Sequence, residues 1–224
     1  MNFREKLYLM LAGVFIVSLC LGNVIGITKF VVVPNPLVPD LIIPAGLLAY
    51  PFTFLATDLI CELYGKERAQ HVVWTGFLLN IFMLFLMWLG HVLPDASGVS
   101  GATSTFESVY AFMKPNVIAS MVAYLIAQSI DVNLFHFWKK LTNGKHLWLR
   151  NLGSTLGSQI IDTICILTIL YYTDNLGPDV TSLSILGSLM LKSYAFKFLF
   201  ALIDTPLFYL GVFLLKDKVQ LKNN

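Results

Sequence analysis

Carboxylates and amides recur in this chain where the surrounding sequence is almost wholly apolar. Asp58 and Glu62 stand four residues apart in one apolar run, a spacing that puts both on one face of a helix. Gln128 and Asp131 do the same at a spacing of three, with Asn133 and His136 just beyond. Arg150, Ser154, Ser158 and Asp162 form a polar stripe at helical spacing, with Gln159 beside it. Lys197 and Asp204 share a face seven residues apart, and Asn23 is an amide within the first run. A charged side chain at the centre of a membrane helix costs about 2.5–3.5 kcal/mol on insertion scales. Several on separate helices must converge on an interior cavity or pair with one another. Lys197 and Arg150 are alternative structural partners for Asp131 and Asp162. Glu62 also suits a headgroup position, Lys192 a snorkelling one, and Arg150 and His136 suit interfacial anchors. Asp58, Gln128, Asp131 and Asp162 are read as functional.

The elements that must hold these groups follow from composition. Of 224 residues, 57% are hydrophobic and 12% charged, about half the roughly 25% charge of a soluble domain. Apolar residues fall in long runs near 7–28, 41–63, 71–93, 116–138, 151–172 and 188–215, each near the about 20 residues that a spanning helix needs. The expectation is an all-α membrane protein of six transmembrane helices, residues 1–224 forming a single membrane domain. Arg4 and Lys6 precede the first run, which is too long for a signal-peptide core and lacks a clean cleavage pattern at Cys20-Leu21-Gly22-Asn23. Pro34, Pro36 and Pro39 exclude regular helix after it, and the Ser/Gly/Thr-rich stretch 94–115 is expected to be the longest soluble piece.

Basic residues set the orientation. Arg4, Lys6, Lys66, Arg68, Lys139, Lys140, Lys145, Arg150, Lys216, Lys218 and Lys222 fall on one side; Lys29 and Lys114 fall on the other. The positive-inside rule places both termini in the cytoplasm and the chain in the cell inner membrane. Two sets of three helices would enter inverted, and a 3+3 inverted repeat is the expected arrangement, with Gly22-x-x-x-Gly26 and Gly153-x-x-x-Gly157 as its faint echo and as close-packing motifs.

Competing chemistries find little support. Cys20, Cys61 and Cys165 lie far apart in apolar runs without metal-ligand spacing, and a net charge of +2 gives no nucleic-acid surface. His-Glu-x-x-His, Gly-x-Gly-Asp and the phosphate-binding Gly-x-x-x-x-Gly-Lys are absent. Gly98-Val99-Ser100-Gly101 fits a serine-nucleophile pattern, but in a polar loop rather than a helix, and is read as chance. No catalytic residues, metal or cofactor are expected. A channel is disfavoured because the acids lie on different helices without a pore-lining repeat.

Pro51-Phe52-Thr53-Phe54-Leu55-Ala56-Thr57-Asp58, continuing through Glu62, Tyr64, Gly65, Lys66 and Arg68, resembles the second-helix motif of the YhhQ-type queuosine-precursor transporter family. Gln128-x-x-Asp131-x-x-x-Phe135 resembles its fourth. Arg150-Asn151-x-x-Ser154-Thr155 with Ser158-Gln159-x-x-Asp162-Thr163 resembles its fifth, and Lys197 with Asp204, Pro206 and Tyr209 its sixth. The resemblance implies import of 7-deazaguanine bases, queuine or its cyano and aminomethyl precursors, for tRNA modification. Asp131 or Asp162 would read the amino-pyrimidinone edge; Asn23, Gln128 and Gln159 would take further polar atoms; Phe54, Phe135 or Tyr194 would stack. Ser154, Lys197 and Asp58 complete the expected binding set, while Asp58, Glu62 and Asp204 would gate or carry a proton. Expected partners are the small heterocycle, the lipid bilayer and, where copies associate, a homodimer mate. The alternatives are a substrate-binding subunit of a multi-component vitamin importer, or a carrier of another vitamin or nucleobase.

Overall fold

A computed structural model describes residues 2–26, 28–33, 41–96, 101–176 and 180–220. Its helices are α1 (Phe3–Ile25), α2 (Tyr50–Tyr64), α3 (Lys66–Val92), α4 (Thr103–Leu141), α5 (Leu147–Tyr172) and α6 (Leu183–Gln220). Six helical segments are long and apolar enough to cross a membrane, and the protein is a multi-pass membrane protein. Asn2 caps α1, its side-chain oxygen accepting from the Glu5 amide at 2.9 Å. The helices run alternately, so the start of α1 meets the end of α2 (Tyr64 Oη donates to the Arg4 carbonyl, 2.8 Å), and the start of α5 meets the C-terminal half of α6 (Trp148 N donates to Tyr209 Oη, 2.9 Å). The start of α1 and the end of α6 therefore lie at one end of the bundle.

Phe15, Ile60, Cys61, Val73, Phe135 and Phe208 form the fully buried centre of the packing. Phe82, Phe85, Phe137, Ile164, Leu191 and Phe213 are exposed, which suits a surface whose solvent is lipid.

Three expectations need correction. The run 41–63 is not one helix: β1 (Phe30–Val33) pairs antiparallel with β2 (Leu41–Pro44) in the register Phe30↔Pro44 through Val33↔Leu41, and a 3-10 segment, Ala45–Ala49, leads into α2. Leu41, Ile42 and Ile43 are as apolar as a helix start, but the partner strand supplies their backbone hydrogen bonds. The protein is thus predominantly helical, with six membrane-length helices and, among the described residues, one small hairpin. The stretch 94–115 is not free of helix: α4 begins at Thr103, ahead of the expected 116, carries Pro115 inside it and runs for 39 residues. Its first turns are tied to the end of α3 by Glu107 on His91 (2.6 Å) and by Thr103 donating to Asp95 (2.9 Å). Finally, α6 extends well past 188–215 at both ends. Pro34, Pro36, Pro39, Lys222 and residues 98–100 of the Gly-x-Ser-Gly fragment lie outside the described residues.

Two joints hold the site-bearing helix in place. Gly46 accepts the closest backbone approach in the bundle's hairpin end: a Cβ there would sit 2.2 Å from the Gly22 carbonyl and 2.6 Å from Gly26 Cα. The small stripe Gly22–Gly26 on α1 is therefore filled by Gly46. At the other end α2 and α3 are separated by Gly65 alone, at φ +88°, a left-handed conformation that glycine adopts without strain.

Candidate functional site

The polar residues stack in three levels along the bundle. Nearest the chain termini is an ion network. Glu62 Oε2 accepts from Arg150 Nη1 at 2.9 Å and from Lys139 Nζ at 3.0 Å, with the Glu62 and Arg150 side chains only 5% and 4% exposed. The guanidinium also stands 5.8 Å from the centre of the Phe135 ring. A buried pair of this kind is held by geometry, and loss of one partner leaves an uncompensated charge. Outside it, Arg68 grips Glu5 through both terminal nitrogens and lies 5.0 Å from the Tyr8 ring centre.

The middle level is a group of carboxyls. Asp58 on α2 and Asp131 on α4 are 1% and 0% exposed and adjoin one another. Thr155 donates to Asp58 Oδ2 at 3.4 Å and Ser158 donates to Asp131 Oδ1 at 3.0 Å, both from α5, with Ser154 alongside. The opposite oxygens, Asp58 Oδ1 and Asp131 Oδ2, are buried without a donor. Asp204 on α6 is the nearest further carboxyl.

Above this, towards the hairpin end, a cavity of about 430 Å³ opens between α1, α2, α4, α5 and α6. Asn23, Tyr50, Thr53, Phe54, Asn116, Gln128, Asp162, Thr163 and Lys197 line it, with aliphatic walls from Ile166, Leu167, Leu170 and Leu189. Its charged lining is Lys192 and one ion pair: Lys197 Nζ donates to Asp162 Oδ2 at 2.5 Å, and Tyr50 Oη donates to the same oxygen at 2.7 Å. Among the described residues no bond is made to Asp162 Oδ1, which leaves that oxygen for a ligand N–H. Tyr50 stacks on Phe54, ring centres 5.8 Å apart, giving the wall a flat aromatic face. Gln128 Nε2 donates to Thr57 Oγ1 at 2.8 Å, and Thr163 Oγ1 is buried without a partner. A recess of about 20 Å³, lined by Thr155, Gln159, Asp204, Tyr50, Phe54 and Lys197, shares the last three of these with the cavity. Gln159 Oε1 there also lacks a partner.

Asn23, Phe54, Gln128, Asp162 and Lys197 thus line one cavity, and Gln159 and Asp204 line its recess. Asp58, Asp131 and Ser154 lie in the level beneath, and Glu62 in the ion network. Phe135 and Tyr194 line neither space; Phe135 packs edge-on against Phe208 in the core. Lys192, read as snorkelling, is exposed and also lines the cavity. Sequence reasoning passed over Tyr50 and the amides bound to Asn23. Asn23 Nδ2 donates to Asn80 Oδ1 (2.7 Å), its own oxygen accepts from Ser120 (2.7 Å), and Asn116 donates to its carbonyl (3.3 Å). Asn80 and Asn116 were visible as amides in apolar surroundings, and that was the available signal.

Comparison with known proteins follows the same geography. A family described as "Putative vitamin uptake transporter" matches residues 44–211, from the end of the hairpin to the last third of α6. A "Probable queuosine precursor transporter" of Bacillus subtilis is 29% identical over 165 residues, 73% of this chain and 69% of the relative. The "Queuosine precursor transporter" of Escherichia coli is 25% identical over 158 residues, 70% and 67% of the two chains. A "Probable queuosine precursor transporter" of Haemophilus influenzae is 30% identical over 128 residues, 57% of this chain and 51% of the relative. No solved structure matches.

Proposed function

This chain belongs to the family described as "Putative vitamin uptake transporter", a family of transporters rather than enzymes, and from that premise we propose that it imports queuosine precursors across the cytoplasmic membrane for tRNA modification. The relatives carry that substrate in their names. The observation that carries the reading here is the cavity of about 430 Å³ with a single carboxylate–ammonium pair and a flat aromatic wall. That volume lies within the roughly 300–1,000 Å³ of small-molecule sites.

A 7-deazaguanine base would present adjacent N–H donors to Asp162, whose Oδ1 is open, and its carbonyl and ring nitrogen to Lys197 or Gln128. Its plane would lie against Phe54 and Tyr50. Asp162 is preferred to Asp131 for this role because Asp162 lines the cavity and Asp131 does not. Glu62 with Arg150 and Lys139 would close the path at the terminus-bearing end. The basic residues gathered at that end support a cytoplasmic location for both termini. Two halves of three helices each would enter the membrane with opposite orientation, the arrangement of an inverted repeat.

The test is a bacterium that can neither make queuosine nor import its precursors. Expression of this chain with each candidate base supplied at low concentration should restore queuosine in tRNA. Absence of restoration with every base, with the protein shown to be in the membrane, would refute the reading. Uptake by the purified chain alone in liposomes separates an autonomous carrier from a subunit that needs an ATPase.

A further inference from the structure

The middle level holds two carboxyls that no cation neutralises. Lys197 is engaged by Asp162, and Arg150 and Lys139 by Glu62; among the described residues no Lys or Arg pairs with Asp58, Asp131 or Asp204. The groups that face Asp58 and Asp131 are Ser154, Thr155 and Ser158 from α5, Asp204 from α6 and Cys61 on α2, with Glu62 and Lys139 beyond Cys61. Each carboxyl spends one oxygen on a hydroxyl. The other two oxygens, Asp58 Oδ1 and Asp131 Oδ2, are fully buried acceptors without a donor. Unsatisfied buried acceptors and adjacent like charges are both unfavourable. One hydrogen atom between the two groups removes both conflicts, since it supplies the missing donor and cancels one charge.

We infer that Asp58 and Asp131 together form a binding site for one proton, and that loading and unloading it accompanies each transport step. The route is short. Thr155 touches Asp58 and lines the recess, and the recess shares Tyr50, Phe54 and Lys197 with the substrate cavity. A proton entering from the cavity side would reach the pair past Asp204, and would leave towards the terminus-bearing end once the Glu62–Arg150 network opens. Bound at one side and released at the other, the proton is the only species gained or lost by the pair. Glu62, engaged by two cations, is left to gating. The coupling half of the inference rests on the transporter reading; the proton site does not.

Infrared difference spectroscopy on the purified protein tests the site without substrate. A carboxylic-acid C=O band at neutral pH should appear in the wild type, and D58N and D131N should each alter the same band, while E62Q leaves it. Absence of such a band, or its insensitivity to both changes, overturns the site. In vesicles of phosphatidylethanolamine and phosphatidylglycerol, an outside acidified by about one pH unit should drive about tenfold accumulation of labelled 7-cyano-7-deazaguanine at one proton per substrate. D58N and D131N should lose accumulation yet retain exchange of label against internal unlabelled base. Wild-type accumulation indifferent to the pH gradient, or driven instead by sodium, overturns the coupling. If the wild type moves no base at all, the proposed substrate falls while the infrared result still decides the site.

Discussion

Lys197 and Asp162, on adjacent helices, meet through a single carboxylate oxygen that Tyr50 also engages, and the Lys197 ammonium stands 4.6 Å from the centre of the Tyr50 ring. One oxygen of Asp162 on α5 therefore holds side chains from α2 and α6, and among the described residues no bond is made to its second oxygen.

Replacing that acceptor should be costly to transport. Hydrogen bonds to charged groups are worth about 1.5–3 kcal/mol, so D162N should reduce uptake at low substrate by about 10–100-fold. Y50F removes one of the two donors to that oxygen while Lys197 keeps the carboxylate paired, and should cost less than D162N. Uptake of labelled base, normalised to protein in the membrane, checks both. Wild-type uptake by D162N would remove Asp162 from the site.

The ion network should show strong coupling in a double-mutant cycle. R150M leaves Glu62 buried against Lys139 alone, and breaking a buried pair costs about 3–5 kcal/mol. E62Q/R150M removes the orphaned charge and should recover most of the lost thermal stability in detergent. Additive losses in the double variant would contradict a buried pair.

Close backbone approach predicts unequal tolerance among glycines. G46A brings a methyl onto the Gly22 carbonyl and Gly26 Cα, which cannot yield independently, and should lower the folded fraction on size-exclusion chromatography. G211A meets only the Cδ2 and Cδ1 ends of Leu59, at 2.9 and 3.3 Å, and should fold normally. Equal behaviour of the two would show that the hairpin does not depend on this contact.

Asn23 joins α1 to α3 and α4, so its loss is a packing defect at the cavity wall. N23A strands donors or acceptors on Asn80 and Ser120, each at about 1–3 kcal/mol, and should lower stability and uptake together. N80A removes a partner that does not line the cavity. It should lower stability by a similar amount with a smaller change in KM. A KM effect of N80A as large as that of N23A would mean that the amide chain is positional throughout.

Much of this arrangement was legible because a membrane leaves few places for polar atoms. Asp58, Gln128, Asp131, Asp162, Lys197 and Asp204 were conspicuous in apolar runs, and all lie in the interior within the connected levels. Which of them pair was not legible: Lys197 and Arg150 were equivalent partners for Asp162 until the helices were placed side by side. Asn80 gave no hint that it faces Asn23, because helix proximity has no trace in one strand of sequence. The hairpin was missed because Leu41-Ile42-Ile43 has the same apolarity in a strand as in a helix. The early start of α4 was missed because Ser, Gly and Pro115 argue for a loop, whereas contacts to His91 and Asp95 hold the helix.

The joint at Gly65 has a mechanical meaning. A single residue gives α2 and α3 no slack, with Gly65 N bonded to the Cys61 carbonyl and Ala69 N bonded to the Gly65 carbonyl. Any tilt of α2, which carries Tyr50, Phe54, Asp58 and Glu62, is transmitted directly to α3. Between α4 and α5 five residues intervene, from Thr142 to His146. The two helices thus meet at a single-glycine pivot, and α2 carries to it the aromatic wall of the cavity, one member of the carboxyl pair and the acid of the ion network.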